Sequence, residues 1–156
     1  MTDEDFLRRA IELSRLNADS AEGGPFGAVV VRDGVIVGEG NNRVTAEHDP
    51  TAHAEVVAIR RACAHLGNHE LAGAVIYTSC EPCPMCLAAI LWARIDRMVY
   101  ANTRVDAAEI GFDDAWFYEQ VAAPIDRRAL PARNLLRDEA RAVFRLWADN
   151  PNKSPY

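Results

Sequence analysis

Three cysteines stand close together in the segment TSCEPCPMC, residues 78–86. Cys83 and Cys86 lie three positions apart at the predicted start of a helix, so both sulfurs would share one helical face and reach one ion. The exposed amides and the dipole of a helix start lower the pKa of a thiol and favour the thiolate. Taken alone, the segment fits a redox couple, a metal cluster, a structural metal or a catalytic one.

A histidine and a glutamate, His53 and Glu55, begin a second predicted helix that also follows a loop. Two such helix starts can converge at one edge of a sheet, where an imidazole and two thiolates would give zinc three ligands. The fourth tetrahedral position would then be left for water, which is the geometry of catalytic rather than structural zinc. Glu55 would stand near enough to take a proton from that water and return it to a leaving amine.

Cys80 is the alternative fourth ligand, because it lies three residues before Cys83. If it also bound the ion, no water position would be left, and the chain would be a zinc-stabilised scaffold without catalytic activity. Its place at the end of a predicted strand favours a buried thiol instead.

The elements that must position these residues alternate between helix and strand. The apolar pattern predicts helices at residues 4–20, 52–67, 83–94, 113–123 and 138–148, and strands on both sides of the Asp33-Gly34 turn, at 74–79 and at 97–102. Residues 41–51 are predicted as a loop, and residues 127–136 as either an edge strand or a loop. This order predicts an α/β fold, a three-layer α/β/α sandwich with a central mixed sheet and helices on both faces.

Length and composition narrow the class of protein. The 156 residues suit one domain with one core, and 49% hydrophobic with 26% charged residues is typical of a globular chain. A net charge of −6 disfavours binding to a long nucleic acid. No run of about 18 apolar residues predicts a membrane span, and the acidic start MTDEDFLRRA lacks the features of a signal peptide. We therefore expect a cytoplasmic protein, where clustered cysteines indicate metal binding or catalysis before disulfides.

The motifs HAE at 53–55 and PCPMC at 82–86 together match HxE…PCxxC, the signature of zinc nucleobase deaminases. The chain thus resembles the cytidine-deaminase-like superfamily and, within it, the small bacterial guanine deaminases. The likeness covers nearly the whole chain and is carried by GGPFGAVVV (23–31), Asn41-Asn42, DPTAHAEVVAIR (49–60), YTSCEPCPMC (77–86), DAAEIGFDD (106–114) and Tyr156. The metal motifs indicate only the superfamily, whereas GFDD and the terminal tyrosine are the more specific marks.

The resemblance implies a cytidine-deaminase-like fold and hydrolytic deamination of guanine to xanthine and ammonia, a step of purine catabolism. Zn²⁺ held by His53, Cys83 and Cys86 would lower the pKa of its water toward about 7 and yield the attacking hydroxide, with Glu55 as acid and base. In similar enzymes an aspartate that matches Asp114 holds the exocyclic amine and helps to move its proton. From residue type alone, Asp114 fits capping of the next helix equally well. If Asp114 contacts the substrate instead, Asp113 could supply the cap.

Four further residues are expected to contact the planar base. The resemblance makes Phe26 a ring that stacks on the base, an interaction of about 1–3 kcal/mol, and Asn42 an amide that reads its polar edge. It also places the backbone N–H of Ala54 against the base and Trp92 in a wall of the pocket. On residue type alone, Phe26 and Trp92 fit a core and Asn42 fits a turn.

The chain is predicted to be one zinc deaminase domain, residues 1–156, whose C-terminal segment, about 121–156, is swapped in a homodimer. The resemblance implies that Tyr156 closes the partner's site, which would exclude water and leave little room for a ribose or a polynucleotide. The polar composition of NPNKSPY by itself predicts a frayed end. The expected partners are a small nucleobase and a second copy of the chain, with no membrane and no long nucleic acid.

Two alternatives stay open on the sequence. The same chemistry could act on another base or nucleoside: guanosine, cytosine, a triazine or adenosine in tRNA. A protein of another class would use Cys83 and Cys86 as a redox dithiol. A screen of bases and nucleosides distinguishes the first alternative, and metal analysis distinguishes the second.

Overall fold

Residues 1–118 fold around a four-stranded sheet. The computed structural model describes all 156 residues and divides them into two compact units, Met1–Tyr118 and Glu119–Tyr156. The elements in chain order are α1 (Asp3–Ser20), β1 (Gly27–Arg32), β2 (Val35–Asn41), α2 (Val44–Glu47), α3 (Ala54–Leu66), β3 (Ala74–Cys80), α4 (Pro84–Trp92), β4 (Arg97–Asn102), α5 (Arg104–Glu109), α6 (Ala115–Ala122) and α7 (Arg137–Asp149). The single domain with a swapped C-terminal segment stays a prediction.

The sheet is mixed, with the strand order β2-β1-β3-β4. β1 runs antiparallel to both β2 and β3, and β4 runs parallel to β3. The turn between β1 and β2 holds Asp33 and Gly34 at positive φ, 51° and 75°, as a two-residue hairpin with the usual twist requires. The predicted hairpin and mixed sheet are confirmed.

Helices cover both faces of the sheet, because alternate strand residues point to opposite sides. On one face, α1 packs against Val29 and Val31. On the other face, α3 and α4 pack against Ala28 and Val30. The predicted three-layer α/β/α arrangement is therefore confirmed.

α3 lies unusually close to β2. Gly38 and Gly40 face this helix, and a side chain at either position would collide with the backbone carbonyl of Ala58 or of Ala54. Because both positions lack a side chain, the backbone of α3 rests directly on the strand. This contact fixes the start of α3, and with it His53, relative to the sheet.

Two short helices lie where the sequence predicts a loop or nothing regular. The loop prediction for residues 41–51 is wrong over α2, Val44–Glu47. α5 begins with a capping box: the Asp106 N–H donates to Thr103 Oγ1 at 3.4 Å, and the Thr103 N–H donates to Asp106 Oδ2 at 2.7 Å. The Thr-x-x-Asp pattern at 103–106 was a readable signal for this helix.

The second unit contains the end of α6, a short 3-10 helix (Ile125–Arg127) and α7. Residues 127–136 form no strand, so the edge-strand alternative is wrong. Polar groups here are paired locally: the Arg128 side chain donates to the Ala123 carbonyl at 3.0 Å, and the Ala129 N–H donates to Gln120 Oε1 at 2.6 Å. Local bonds of this kind take the place of a strand ladder.

α7 has an exposed apolar face. Val143 is 61% exposed, Phe144 77%, Leu146 73% and Trp147 50%. Contiguous exposed side chains of this size mark surfaces that bind another molecule or another copy of the chain. None of the helices is both long enough and apolar enough to cross a bilayer.

Candidate active site

α3 and α4 both begin at a predicted metal ligand. His53 is the N-cap residue of α3 and Cys83 that of α4, and neither side chain caps its own helix. Pro84 occupies the first position of α4, where a missing N–H costs little. The two helix starts therefore present a ring nitrogen, a sulfur and uncapped first-turn amides.

The side chains of His53, Cys83 and Cys86 meet between these helix starts. Nδ1 of His53 lies 3.6 Å from Sγ of Cys83 and 3.5 Å from Sγ of Cys86. The three ligand atoms all lie within 4.8 Å of one another. Ordinary Zn–N and Zn–S bond lengths at tetrahedral angles place such atoms about 3.6 Å apart, so the donor set fits zinc.

Cys80 does not belong to this group of donors. It is 7% exposed at the end of β3, and its thiol donates to the Thr103 carbonyl at 3.6 Å. Burial raises the pKa of the Cys80 thiol to about 11, and the nearby carboxylates of Glu55 and Asp114 act in the same direction. The protein thus supplies three donors to a tetrahedral ion, the number found in catalytic zinc sites.

The surroundings of the two cysteines shift their pKa values in opposite directions. A hydrogen bond from Cys86 lowers the pKa of Cys83 to about 4, and His53 acts in the same direction. The same bond raises the pKa of Cys86. The bond to Cys83 also raises the pKa of His53. A divalent cation displaces such protons, because only thiolates and neutral imidazole bind it well.

Glu55 lies in the first turn of α3, 8% exposed, beside the donor group. Burial raises the pKa of its carboxyl, and the Cys83 thiolate acts in the same direction. Raising the pKa of a carboxyl favours its protonated form, which suits a group that must give a proton as well as take one.

A cavity opens beside the donor atoms. Besides His53, Cys83 and Glu55, its walls are formed by Phe26, Asn42, Cys80, Glu81, Ala107, Phe112 and Asp114. The lining includes three carboxyl groups and neither lysine nor arginine. Such a lining repels phosphate and suits an uncharged ligand.

Asp114 faces this cavity at the start of α6. The neighbouring Asp113 makes the hydrogen bond to the start of this helix, since its Oδ1 accepts from the Ala115 N–H at 2.9 Å. Burial raises the pKa of Asp114, and the Cys83 thiolate acts in the same direction. The carboxyl of Asp114 therefore lies close to the donor group without serving as a helix cap.

Two phenylalanines form one wall of the cavity. Phe26 and Phe112 meet edge to face, with ring centroids 4.9 Å apart and planes at 87°. Gly24 sits against both rings: a side chain there would come within 2.9 Å of Phe26 and 3.3 Å of Phe112. The edge-to-face contact holds the Phe26 ring in one orientation.

Asn42 is 5% exposed at the end of β2. Its Oδ1 accepts a hydrogen bond from the Val44 N–H at 3.1 Å, which fixes the orientation of the amide. The backbone carbonyl of Asn42 accepts from Asn17 Nδ2 at 2.7 Å. The side-chain amide nitrogen is thereby left as the donor that Asn42 can offer to a ligand.

Comparison with known proteins identifies the family. The family model for the cytidine and deoxycytidylate deaminase zinc-binding region matches residues 1–102, which include all three donors and Glu55. The chain belongs to this deaminase family. Zinc is accordingly the cofactor of this deaminase.

The similarity of the deaminase to one guanine deaminase extends over the full length of both chains. The guanine deaminase of Bacillus subtilis is 48% identical over 156 residues, 100% of both chains. Its X-ray structure matches with a TM-score of 0.96 over 100% of this chain and 99% of that one. A guanine deaminase structure from Nitrosomonas europaea is 31% identical, with a TM-score of 0.66 over 90% and 81% of the two chains. The tRNA-specific adenosine deaminase of Haemophilus influenzae is 41% identical over 72% of this chain and 68% of its own.

The cavity lining leaves the predicted contacts of Ala54, Trp92 and Tyr156 untested. Ala54 is the buried first residue of α3, beside the lining residues His53 and Glu55. Trp92 is 62% exposed at the last position of α4, and Tyr156 is 75% exposed in the second unit. Their substrate contacts stay predictions.

Sequence reasoning missed four lining residues: Cys80 as a wall, Glu81, Ala107 and Phe112. Glu81 had a signal, because it stands inside the cysteine segment, directly before Pro82. Phe112 had one too, since it lies two residues before Asp114. Ala107 had none, because a small apolar residue in a helix carries no functional mark.

Proposed function

We propose that this chain deaminates guanine, adding water at C2 and releasing xanthine and ammonia. The observation that carries the proposal is the similarity to a guanine deaminase over the whole length of both chains, beyond the zinc-binding region that all these deaminases share. The reaction exchanges the C2–N bond of the exocyclic amine for a C2–O bond, and it balances with one water.

His53, Cys83 and Cys86 are proposed to hold the zinc through Nδ1 and two Sγ atoms, whose separations fit the ion. When bound, zinc supplies the Lewis acidity that makes water a nucleophile near neutral pH. Glu55 is proposed to take a proton from the attacking water, pass it to the ring nitrogen next to C2, and assist the departing amine. Its raised pKa supports this double role.

Asp114 is proposed to hold the exocyclic amine and share the protonation of the leaving nitrogen. Ammonia leaves only after protonation, so a second carboxyl on the amine side of the base has a chemical purpose. The raised pKa of Asp114 and its place in the cavity support the assignment.

The base is proposed to stack on Phe26, which Phe112 orients. The amide nitrogen of Asn42 would donate to a purine acceptor, and the uncapped first turn of α3 would offer the Ala54 N–H. An uncharged base suits a cavity that holds three carboxyl groups and no cationic residue. The same lining disfavours nucleotides and the phosphate backbone of tRNA.

The working form is proposed to be a homodimer in which the C-terminal segment, about 121–156, is exchanged and Tyr156 closes the partner's site. The exposed apolar face of α7 supports a partner of the same chain, since such a face needs a cover. Trp92 is proposed to form part of the closed pocket. The cytoplasm is the proposed location, because all four cysteines are free thiols.

An activity screen tests the substrate. Zinc-loaded protein is incubated with guanine, guanosine, cytosine, a triazine and a tRNA anticodon stem, and ammonia release is measured. Guanine should give the highest kcat/KM. Release from guanosine or from tRNA without release from guanine would overturn the proposal.

A further inference from the structure

We propose that Tyr118, supported by Arg104 and Glu81, is a positioning residue that fixes Asp114 relative to the zinc-binding loop. The inference rests on the proposed function, in which Asp114 holds the amine that leaves. In this proposal, Tyr118, Arg104 and Glu81 contact one another in series and together support the carboxyl of Asp114, whose position the reaction depends on.

Asp114 needs such support because its own side chain makes no hydrogen bond within the chain. The carboxyl is placed only by the backbone at the start of α6. In the first turn of that helix, Ala115, Trp116 and Phe117 are exposed, and Tyr118 is half-buried. Among the side chains of this turn, Tyr118 is therefore the one that packs against the rest of residues 1–118.

Tyr118 joins the two halves of the site through both of its ends. Its N–H donates to the Asp114 carbonyl at 3.1 Å, which is the first bond of α6. Its hydroxyl donates to the Pro82 carbonyl at 2.9 Å, one residue before Cys83. One residue thus sets the distance between the turn that carries Asp114 and the loop that carries a zinc ligand.

Arg104 holds the Tyr118 ring in place. Its guanidinium carbon lies 4.9 Å from the ring centroid, a cation–π contact. The backbone N–H of Arg104 donates to Glu81 Oε2 at 3.0 Å, and its Nε lies 3.8 Å from Glu81 Oε1. The Glu81 N–H donates to the Asn102 carbonyl at 2.8 Å, which anchors the series at the end of β4.

For catalysis, the important quantity is the distance between Asp114 and the loop that carries Cys83. Misplacing a catalytic group by about 1 Å can cost about a hundredfold in rate. Removing the Tyr118 hydroxyl frees the start of α6 from Pro82 while leaving the ring beneath Arg104. The zinc ligands keep their places at the starts of α3 and α4, so metal binding should be unaffected.

Tyr118→Phe tests the proposal. We expect kcat to fall about three- to tenfold, as for loss of one hydrogen bond, with a smaller change in KM and the same zinc content per chain. Tyr100→Phe is the matched control, since Tyr100 lies 43% exposed on β4 and its hydroxyl makes no hydrogen bond. It should keep wild-type kcat.

A double-mutant cycle separates positioning from a general structural effect. If Tyr118 acts through Asp114, adding Tyr118→Phe to Asp114→Ala should lower kcat no further. Arg104→Ala should lower kcat in the wild-type background and add little to Tyr118→Phe. Wild-type kcat in Tyr118→Phe, an equal loss in the Asp114→Ala background, or loss of zinc would each overturn the inference.

Failure of the proposed function has a different signature. It would show as wild-type protein that releases no ammonia from guanine. The cycle is then run on the base that the activity screen identifies, where Asp114 and Tyr118 are judged by the same criteria.

Discussion

Glu55 illustrates how burial can prepare a side chain for proton transfer. The carboxyl is 8% exposed, so its charged form loses most of its hydration and its pKa rises. His53, two residues earlier, works in the opposite direction, which limits the rise. The result is a group that accepts a proton readily yet can give it up again, as the proposed reaction requires twice in each turnover.

Glu55→Gln should keep the shape of the site and abolish proton transfer. We expect kcat to fall by about 10²–10⁴ with zinc retained at one ion per chain, because the amide cannot carry the proton. Steady-state kinetics and metal analysis on the same preparation check this. Glu70→Gln, at an exposed loop position, is the control and should match the wild type. Turnover of Glu55→Gln within tenfold of wild type would remove Glu55 as the acid and base.

At the scale of elements, α1 does more than cover one face of the sheet. Its Asn17 is 2% exposed and donates through Nδ2 to the carbonyls of Gly24, at 2.8 Å, and Asn42, at 2.7 Å. Its Oδ1 accepts from Asn41 Nδ2 at 2.6 Å. One buried amide thus joins α1 to the loop before Phe26 and to the end of β2, the two segments that bring Phe26 and Asn42 to the cavity.

Asn17→Ala should be strongly destabilising. It leaves two backbone carbonyls and one side-chain amide without their partner in the core, and we expect a loss of about 2–4 kcal/mol in the free energy of unfolding. Urea unfolding followed by circular dichroism measures it. Asn134→Ala, at an exposed position, should change the value by less than about 0.5 kcal/mol. A loss for Asn17→Ala as small as that would mean that water satisfies the freed groups.

The start of α1 is tied to the sheet by an ion pair with a pH signature. Arg97 donates to both carboxylate oxygens of Asp3, at 2.6 and 2.9 Å, and Tyr77 donates to it at 2.6 Å. Arg97 and then Tyr77 lower the pKa of Asp3 from 3.8 to about 2. A lowered carboxyl pKa contributes stability that is present above the unfolded value and is lost as the pH falls through the folded value.

Asp3→Asn should therefore reduce stability at pH 6, and its difference from wild type should shrink below about pH 4. Urea unfolding of both proteins at pH 6, 4 and 3 measures the trend. Asp19→Asn on the same helix is the control substitution. A difference that is constant over this range would contradict the lowered pKa.

At the scale of the molecule, some features of the structure follow from the local sequence, whereas others depend on tertiary packing. The Asp33-Gly34 turn and the Gly67 helix end, at φ 62°, follow from local chemistry and were predictable. The convergence of His53 with the cysteines was predictable because parallel helix starts meet at one sheet edge. The contact of Phe26 with Phe112 was not, because it joins segments 86 residues apart through a loop that the sequence leaves undefined.

The proposed swapped dimer predicts complementation between two defective chains. One chain carries Glu55→Gln and keeps Tyr156, and the other keeps Glu55 and lacks residue 156. If Tyr156 closes the partner's site, each homodimer is impaired, and co-expression should restore about a quarter of the wild-type sites through random pairing. Light scattering checks that both proteins are dimers. No recovery in the mixture would place Tyr156 in its own chain's site, and full activity of the chain that lacks residue 156 would place it outside any site.

His53 and Cys83 each begin a helix without capping it. At these two positions, a residue that serves activity therefore occupies the place of one that would stabilise the fold. Serine or aspartate at either position would satisfy the exposed amides and raise the stability of the metal-free fold by about 1 kcal/mol, at the expense of a ligand. Laboratory selection for thermal tolerance alone should therefore drift toward these substitutions and yield a sturdier but inert protein.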